Sequence, residues 1–398
     1  MSADNVNSGA PTLPPAAPLP HYVSPAPFDP YSVERTTAEQ EKIYLASQWK
    51  LMALKFRRHR VAVLSAVVLG IMYLAILGVE FLSPYHQDTR NVQHIYVAPQ
   101  PVHLFHKGEF IGPFVYALDY KLDMNTLKRI FTENPEKPLK IRFFCRGDKY
   151  NWWGVVPGDL HLVCPPEGGP MFLLGSDRLG RDMLSRILYG MRISLTIGLI
   201  GVSVSIVLGV ILGGLAGYYG GWVDDIVQRV IEVIRSIPHL PLWLALAAIL
   251  PVNWSPILVY FGITIILGLI DWTGLARAVR SRLLSLREED FCVAAQLMGA
   301  SPKRIIFRHL MPSFMSHLIA SATLAIPNMI LGETALSFLG LGIRPPITSW
   351  GVLLNEAQNI NVVVLYPWLM LPIVPVIIVV LAFNFMGDGL RDAADPYR

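Results

Sequence analysis

Charge is scarce in this chain. Asp, Glu, Lys and Arg make up 16% of its 398 residues and hydrophobic residues 53%, a balance too apolar for a soluble globular protein. The short signatures of catalysis are missing too: there is no GxxxxGK(S/T) phosphate loop, no GxSxG elbow, no HExxH and no cluster of Cys and His at ligand spacing. Their absence excludes ATP hydrolysis by this chain and leaves it without a cofactor or metal site of its own. Three cysteines are too few for a disulfide scaffold. A net charge of +4 invites a nucleic-acid reading, but most basic residues sit in loops flanking apolar runs, which is topology rather than a phosphate-binding face.

Long apolar runs are what the chain does have. About 20 apolar residues cross the hydrocarbon core of a bilayer as a helix. Six runs of that order occur, at Val61 to Leu82, Ile193 to Tyr218, Val230 to Leu250, Ile257 to Ala276, Phe314 to Leu339 and Leu365 to Met386. The expected protein is an all-α polytopic membrane protein with both termini on one side. Lys55, Arg57, Arg58 and Arg60 stand directly before the first run and hold that side in the cytoplasm. Pro251 to Ser255, with no Lys or Arg, and Gly340 to Val364, with only Arg344, fall outside. Residues 1–31 read as a disordered proline-rich cytoplasmic tail and 32–60 as a helix near the bilayer surface. Residues 61–82 are the first span, which about 60 polar residues precede, so it reads as a retained helix rather than a signal peptide. Residues 191–398 form a five-helix core.

The connection at residues 84–190 is long enough to fold as a small external α+β insertion. Asp123 to Asn134 reads as a helix. The runs IRFFC, YNWWGVV and LHLVC, punctuated by Gly147-Asp148 and Pro157-Gly158-Asp159, read as a three-stranded antiparallel meander. Cys145 and Cys164 fall on its first and third strands, where two readings stay open: a disulfide, or two thiols in a small apolar core. Cys292 reads as a reduced structural thiol.

Between the fourth and fifth runs lies a basic loop, residues 277–312, containing VAAQLMGASPKRIIFRHLMP. Ala294 and Ala295 permit close helix contact, Gly299 ends a short helix, and Ser301-Pro302 caps the next; Ala300 and Pro312 complete the pattern. An ordinary basic loop would carry the same Arg and Lys residues. The spacing of Ala294, Ala295, Gly299 and Pro312 resembles the EAA loop of permease subunits in binding-protein-dependent ABC importers. Val293 stands where that family has Glu, and His309 and Met311 where it has Ile and Leu.

GSDRLGRDMLSRILYGMRISL, Gly175 to Leu195, is similar to a segment of the dipeptide, oligopeptide and nickel permease branch. On its own residues it reads as an amphipathic helix at the outer interface, with Asp177–Arg181 and Asp182–Arg186 as i,i+4 pairs. The resemblance implies the six-span type I ABC importer fold in a bacterial inner membrane. It also implies a homologous second permease chain, two cytoplasmic ATPases carrying ATP and Mg, and a periplasmic substrate-binding protein delivering peptides. Nickel or oligosaccharide cargo is the alternative within the branch. A secondary transporter would need coupling acids and an internal repeat that are not evident, and a structural membrane protein would place function in the insert. Asn328 and Glu333, inside the fifth run, either line the pathway or hydrogen-bond at a helix seam. Glu232 is expected to pair with Arg235, and Asp271 to lie near Arg277, both as structural contacts.

Overall fold

The computed structural model describes residues 47–122, 124 and 129–394; the tail at 1–31 and most of the segment 32–60 lie outside the described residues. Helix α1 (Gln48–Arg58) ends on Lys55, Arg57 and Arg58, cations that complement its C-terminal carbonyls. His59 then interrupts the chain, and its Nδ1 accepts the Ala62 N–H at 3.1 Å to start α2 (Arg60–Leu77). At about 1.5 Å per residue, 18 residues are long enough to approach the thickness of a bilayer core. Gly78 breaks this first apolar run, and a short α3 (Val79–Leu82) follows.

Among the described residues between α3 and Met183 the insert holds strands and no helix, which corrects the α+β expectation there. β1 (His103–His106), β2 (Glu109–Leu122) and β3 (Arg129–Lys140) form an antiparallel sheet in that order, and β4 (Arg142–Trp152) pairs with β5 (Val156–Cys164). The first residues of the helix expected at Asp123 to Asn134 lie mostly outside the described residues, but Arg129 to Asn134 is strand, with Ala117 opposite Asn134. Ile130, Phe131 and Thr132 favour a pleated surface, and Pro135 and Pro138 stop a helix from continuing. Likewise IRFFC and YNWW belong to one strand. Gly147-Asp148 is a bulge in it rather than a turn, because Gly147 lies against the His161 ring, where a Cβ would sit 2.7 Å from the imidazole. The turn falls instead at Trp153-Gly154, both with positive φ. Pro157 is tolerated inside β5 because a two-stranded ribbon leaves one edge unpaired.

Among the described residues, five helices are long and apolar enough to cross a membrane, or six if one bent pair counts as a single span. The second, α4 (Met183–Tyr219), runs 37 residues and packs along α7 (Pro256–Leu286). The seam needs small residues: a Cβ at Gly213 or Gly217 would run into the backbone of Ala276 or Arg280. The third expected span is not one helix. α5 (Gly221–Ser236) and α6 (His239–Ala248) meet at 88°. Pro238 lacks an N–H and pushes Ile237 to ψ 131°, ending the helix there.

Beyond α7 come α8 (Asp290–Leu297) and α9 (Pro302–Arg304). A wide π turn at Ile305–Leu310 then leads into α10 (Met311–Phe338). The π turn accommodates Pro312, which cannot donate to an ordinary helical ladder. Short helices α11 (Trp350–Asn355) and α12 (Ile360–Leu365) precede α13 (Ile373–Ala394). α13 packs on α2, with Tyr73 edge-on to Phe383 at 6.4 Å. The main core lies where α4, α6, α7 and α10 converge on Leu195, Ile263, Leu267, Met329 and Ile330.

Candidate functional site

Between the two long helices α7 and α10, α8 presents one buried and one bare face. Cys292 and Ala295 pack with Leu275, Leu283, Ile305 and Leu310, and burial pushes the Cys292 thiol up, out of the reactive range. The other side exposes Phe291, Val293, Leu297 and Met298, the last two being 85% and 81% accessible. Phe291, Val293 and Leu297 lie on the eight-residue helix and Met298 directly follows it, so α8 ends in a bare apolar knob. Its end is rigid. Gly299 has φ +78°, its N–H bonds Gln296 O at 2.9 Å, and the Ala300 N–H reaches back to Ala295 O at 3.1 Å, the paired bonds of a Schellman cap. Ser301 Oγ then accepts from Arg304 N–H at 3.4 Å over Pro302, opening the next turn. Ala294 is exposed beside Val293.

Asn328 and Glu333, five residues apart, occupy unlike surroundings. Glu333 is fully enclosed: Oε1 accepts from Ser337 Oγ at 2.7 Å and Ser349 Oγ at 2.6 Å, and Oε2 from Ser194 Oγ at 3.3 Å. Each serine oxygen also receives a backbone N–H, from Ile343, Val352 and Trp350 respectively. The carboxylate thus ties α4, α10 and the start of α11 together, and its place as a lining residue is corrected to the interhelical alternative. Asn328 is exposed and faces a recess of about 280 Å³ at the α5–α6 break, with Arg235, His239, Asp271 and Ser321. Asp271 pairs there with His239 Nδ1 at 3.4 Å rather than with Arg277, and Glu232 pairs with Arg229 at 2.9 Å rather than with Arg235. Sequence reasoning missed His239 and Arg235 because only the bend at Pro238 brings them beside Asp271.

The segment before α4 is a turn, not the expected amphipathic helix. Gly175 and Gly180 have positive φ, and the Asp177 carboxylate accepts from the Leu179 and Arg181 N–H groups at 2.8 and 2.9 Å, competing with helical bonds. The helix begins at Met183, where Asp182 caps Ser185 N–H at 2.8 Å. Arg186 therefore does not pair with Asp182. It lies 2.6 Å from Asp177 and 3.0 Å from Glu356, and Arg181 bridges the same two acids at 2.6 and 3.0 Å. Asp177, Arg181 and Arg186 are buried, so the four charges lock this turn to the segment after α11. Burial pushes the Asp182 carboxyl up to about 6.

In the insert, Cys145 and Cys164 are joined by a disulfide between β4 and β5, with Cα atoms 6.3 Å apart. The turn of this hairpin rests on the end of α2: Trp152 and Trp153 Nε1 donate to Leu77 O at 2.6 and 3.2 Å, and Arg192, bound to Glu80, stacks on the Trp153 ring at 4.4 Å. Among the described residues no group of three His, Cys, Asp or Glu side chains is placed to hold a metal ion.

The long apolar helices are those of a polytopic membrane protein, and with them stand a polar recess at a helix break and a capped apolar knob between two of those helices. Residues 205–397 match the family model described as binding-protein-dependent transport system inner membrane component. Residues 47–99 match the N-terminal TM domain of oligopeptide transport permease C. A putative peptide permease protein of Brucella ovis is 38% identical over 250 residues, covering 62% of this chain and 80% of that protein. The dipeptide transport system permease protein DppC of Alkalihalophilus pseudofirmus is 39% identical, covering 56% of this chain and 71% of that one. The glutathione transport system permease protein GsiD of Pectobacterium atrosepticum is 40% identical, covering 56% and 72%. The chain belongs to the inner-membrane permease components of binding-protein-dependent ABC importers. A solved chain of the MetNI methionine ABC transporter, in an inward-facing conformation, aligns with 54% of this chain and 98% of its own at 18% identity and a TM-score of 0.41, too slight a likeness to define the fold.

Proposed function

We propose that this chain is one of two homologous permease subunits that together form the translocation pathway of an ATP-driven peptide importer. The capped, apolar-tipped α8 carries the proposal. Leu297, Met298, Phe291 and Val293 form a knob that fits a groove on a cytoplasmic ATPase, and the Schellman cap at Gly299 holds its angle. Two such ATPases, one for each permease chain, bind and hydrolyse ATP, and their closure moves the spans between inward-open and outward-open states. The relatives' descriptions as peptide, dipeptide and glutathione permeases support peptide cargo, delivered by a periplasmic binding protein.

In this reading the bent α5–α6 pair counts as one span, giving six and the type I importer topology. Lys55, Arg57, Arg58 and Arg60 hold the N-terminal side in the cytoplasm, and the C-terminus lies on the same side. The strand-rich insert is then periplasmic, where a Cys145–Cys164 bond persists. The test is reconstitution of the full complex with its binding protein, comparing uptake of a labelled short peptide, a labelled trisaccharide and nickel ion. Binding-protein-stimulated ATP hydrolysis with peptide accumulation supports the proposal. Accumulation of the trisaccharide or nickel alone keeps the pump and replaces the cargo. Uptake independent of the ATPase subunits would indicate a secondary transporter and sink it.

A further inference from the structure

Arg235, His239, Asp271, Ser321 and Asn328 converge on the recess at the α5–α6 break, and of these the sequence singled out only Asn328 as a pathway candidate. Arg235 and Asn328 are exposed and make no hydrogen bond or ion pair among the described residues. An arginine turned toward lipid costs several kcal/mol, about 2.5–3.5 on insertion scales, so a face carrying one borders a water-filled space. A polar track leads to it: Asp225, Arg229, Glu232 and Ser236, all exposed, recur at i, i+4, i+7 and i+11 along α5. The track ends where Pro238 turns the chain, beside the recess.

The lining also selects a chemistry. It holds a base, Arg235, and an acid, Asp271, which His239 Nδ1 orients at 3.4 Å; α6 starts here with no side-chain cap, leaving its positive end free for an anion. No Trp, Tyr or Phe lines it, so it offers no stacking platform for a sugar ring. Asn328 adds an amide suited to a peptide bond.

We infer that this recess is a transit site for short peptides recognised as zwitterions, with the ammonium end on Asp271, the carboxylate end on Arg235 and the α6 N-terminus, and the backbone on Asn328. The inference rests on the peptide-import reading above. At roughly 3.3–3.6 Å per residue, the two charged ends of a dipeptide or tripeptide lie within reach of one small recess.

The test uses the reconstituted complex with its binding protein in a Cys292→Ser background, where Cys145 and Cys164 are already bonded. An Asn328→Cys variant is expected to react with a water-soluble thiol reagent, and the reaction is expected to slow about fivefold or more when a dipeptide is being transported. Arg235→Gln and Asp271→Asn are expected to lower initial uptake of a free dipeptide about tenfold or more, because each removes a charge-assisted bond. Membrane abundance and assembly with the ATPase subunits should stay within about twofold of wild type. Asp271→Glu, which keeps the acid, should retain most of the uptake. Wild-type uptake by Arg235→Gln and Asp271→Asn, an unreactive or unprotected Asn328→Cys, or equal loss in Asp271→Glu and Asp271→Asn would each overturn the site. If the wild-type complex imports no peptide at all, the peptide-import reading itself fails; if it does and these variants are unaffected, only the transit site fails.

Discussion

Replacing Glu333 tests whether this buried acid is a structural clamp or part of the pathway. Its carboxylate is the common acceptor for three hydroxyls, those of Ser194, Ser337 and Ser349, each of which relays a backbone N–H. Glu333→Ala leaves all three hydroxyls facing a void. At about 1–3 kcal/mol for each unsatisfied buried group, and less than additive because they share one acceptor, the loss is roughly 3–5 kcal/mol. Glu333→Gln keeps one acceptor oxygen but points an NH2 at a serine that must turn, costing about 1 kcal/mol. With about 2–4 °C of Tm for each kcal/mol in a chain of this order, alanine lowers Tm by on the order of 10 °C and glutamine by a few degrees. Because Cys292 is buried, a thiol-reactive dye reports the unfolding of detergent-solubilised complex directly. Two results refute the reasoning: a Glu333→Ala Tm within about 2 °C of wild type, or a Glu333→Gln complex of unchanged Tm that no longer transports.

Other consequences follow from the same geometry. Leu297→Asp charges the exposed knob without touching the core and should cut transport-coupled ATP hydrolysis about tenfold or more at normal membrane abundance. Gly299→Ala, with no atom within 4 Å of the added Cβ, pays only for the positive φ, about 1–2 kcal/mol, and should keep partial coupling. Asp182 gives a pH dependence. Its folded pKa of about 6 stands above the ordinary carboxylate value, so its stabilising contribution is full below about pH 4 and is lost as pH rises through 6. Two units correspond to about 2–3 kcal/mol. Asp182→Asn, still able to cap Ser185, should flatten the Tm profile between about pH 4 and 7 and be the more stable form above it. Reducing the Cys145–Cys164 bond, which closes a loop of separation 19, removes about 3 kcal/mol from the hairpin and should expose Lys149 to trypsin at lower temperature. Unchanged cleavage rates would contradict that estimate.

The apolar runs were readable because a helix in hydrocarbon must be apolar over a fixed length, and α2, α4, α7, α10 and α13 each contain most of an expected run. The short signals around Gly299 and Ser301 were legible for a similar reason: few residues adopt positive φ or cap a helix well, and the φ of Gly299 and the Ser301 bond follow. Contacts set by tertiary folding were not legible. Pro238 announces a break but not its 88° angle, so the meeting of Asp271 with His239 could not be foreseen. The Asp177–Arg181 pair formed as its spacing suggests, though in a turn rather than a helix, whereas Arg186 left Asp182 for Asp177 and for Glu356, 170 residues along the chain. Gly147-Asp148 reads as a turn in the sequence, and only the packing of His161 against Gly147 makes it a bulge. Glu333 and Asn328 differ in environment because only one faces the serines of α4 and the loop before α11.

The central claim is that this permease moves peptides with energy from ATP hydrolysed on other subunits. Its most direct test is accumulation of a labelled dipeptide in proteoliposomes holding the complete complex, with binding protein on the donor side and either ATP or a non-hydrolysable analogue on the other. The account predicts accumulation above the donor concentration with ATP and none with the analogue. Equal uptake in both, or uptake that survives removal of the ATPase subunits, would contradict it.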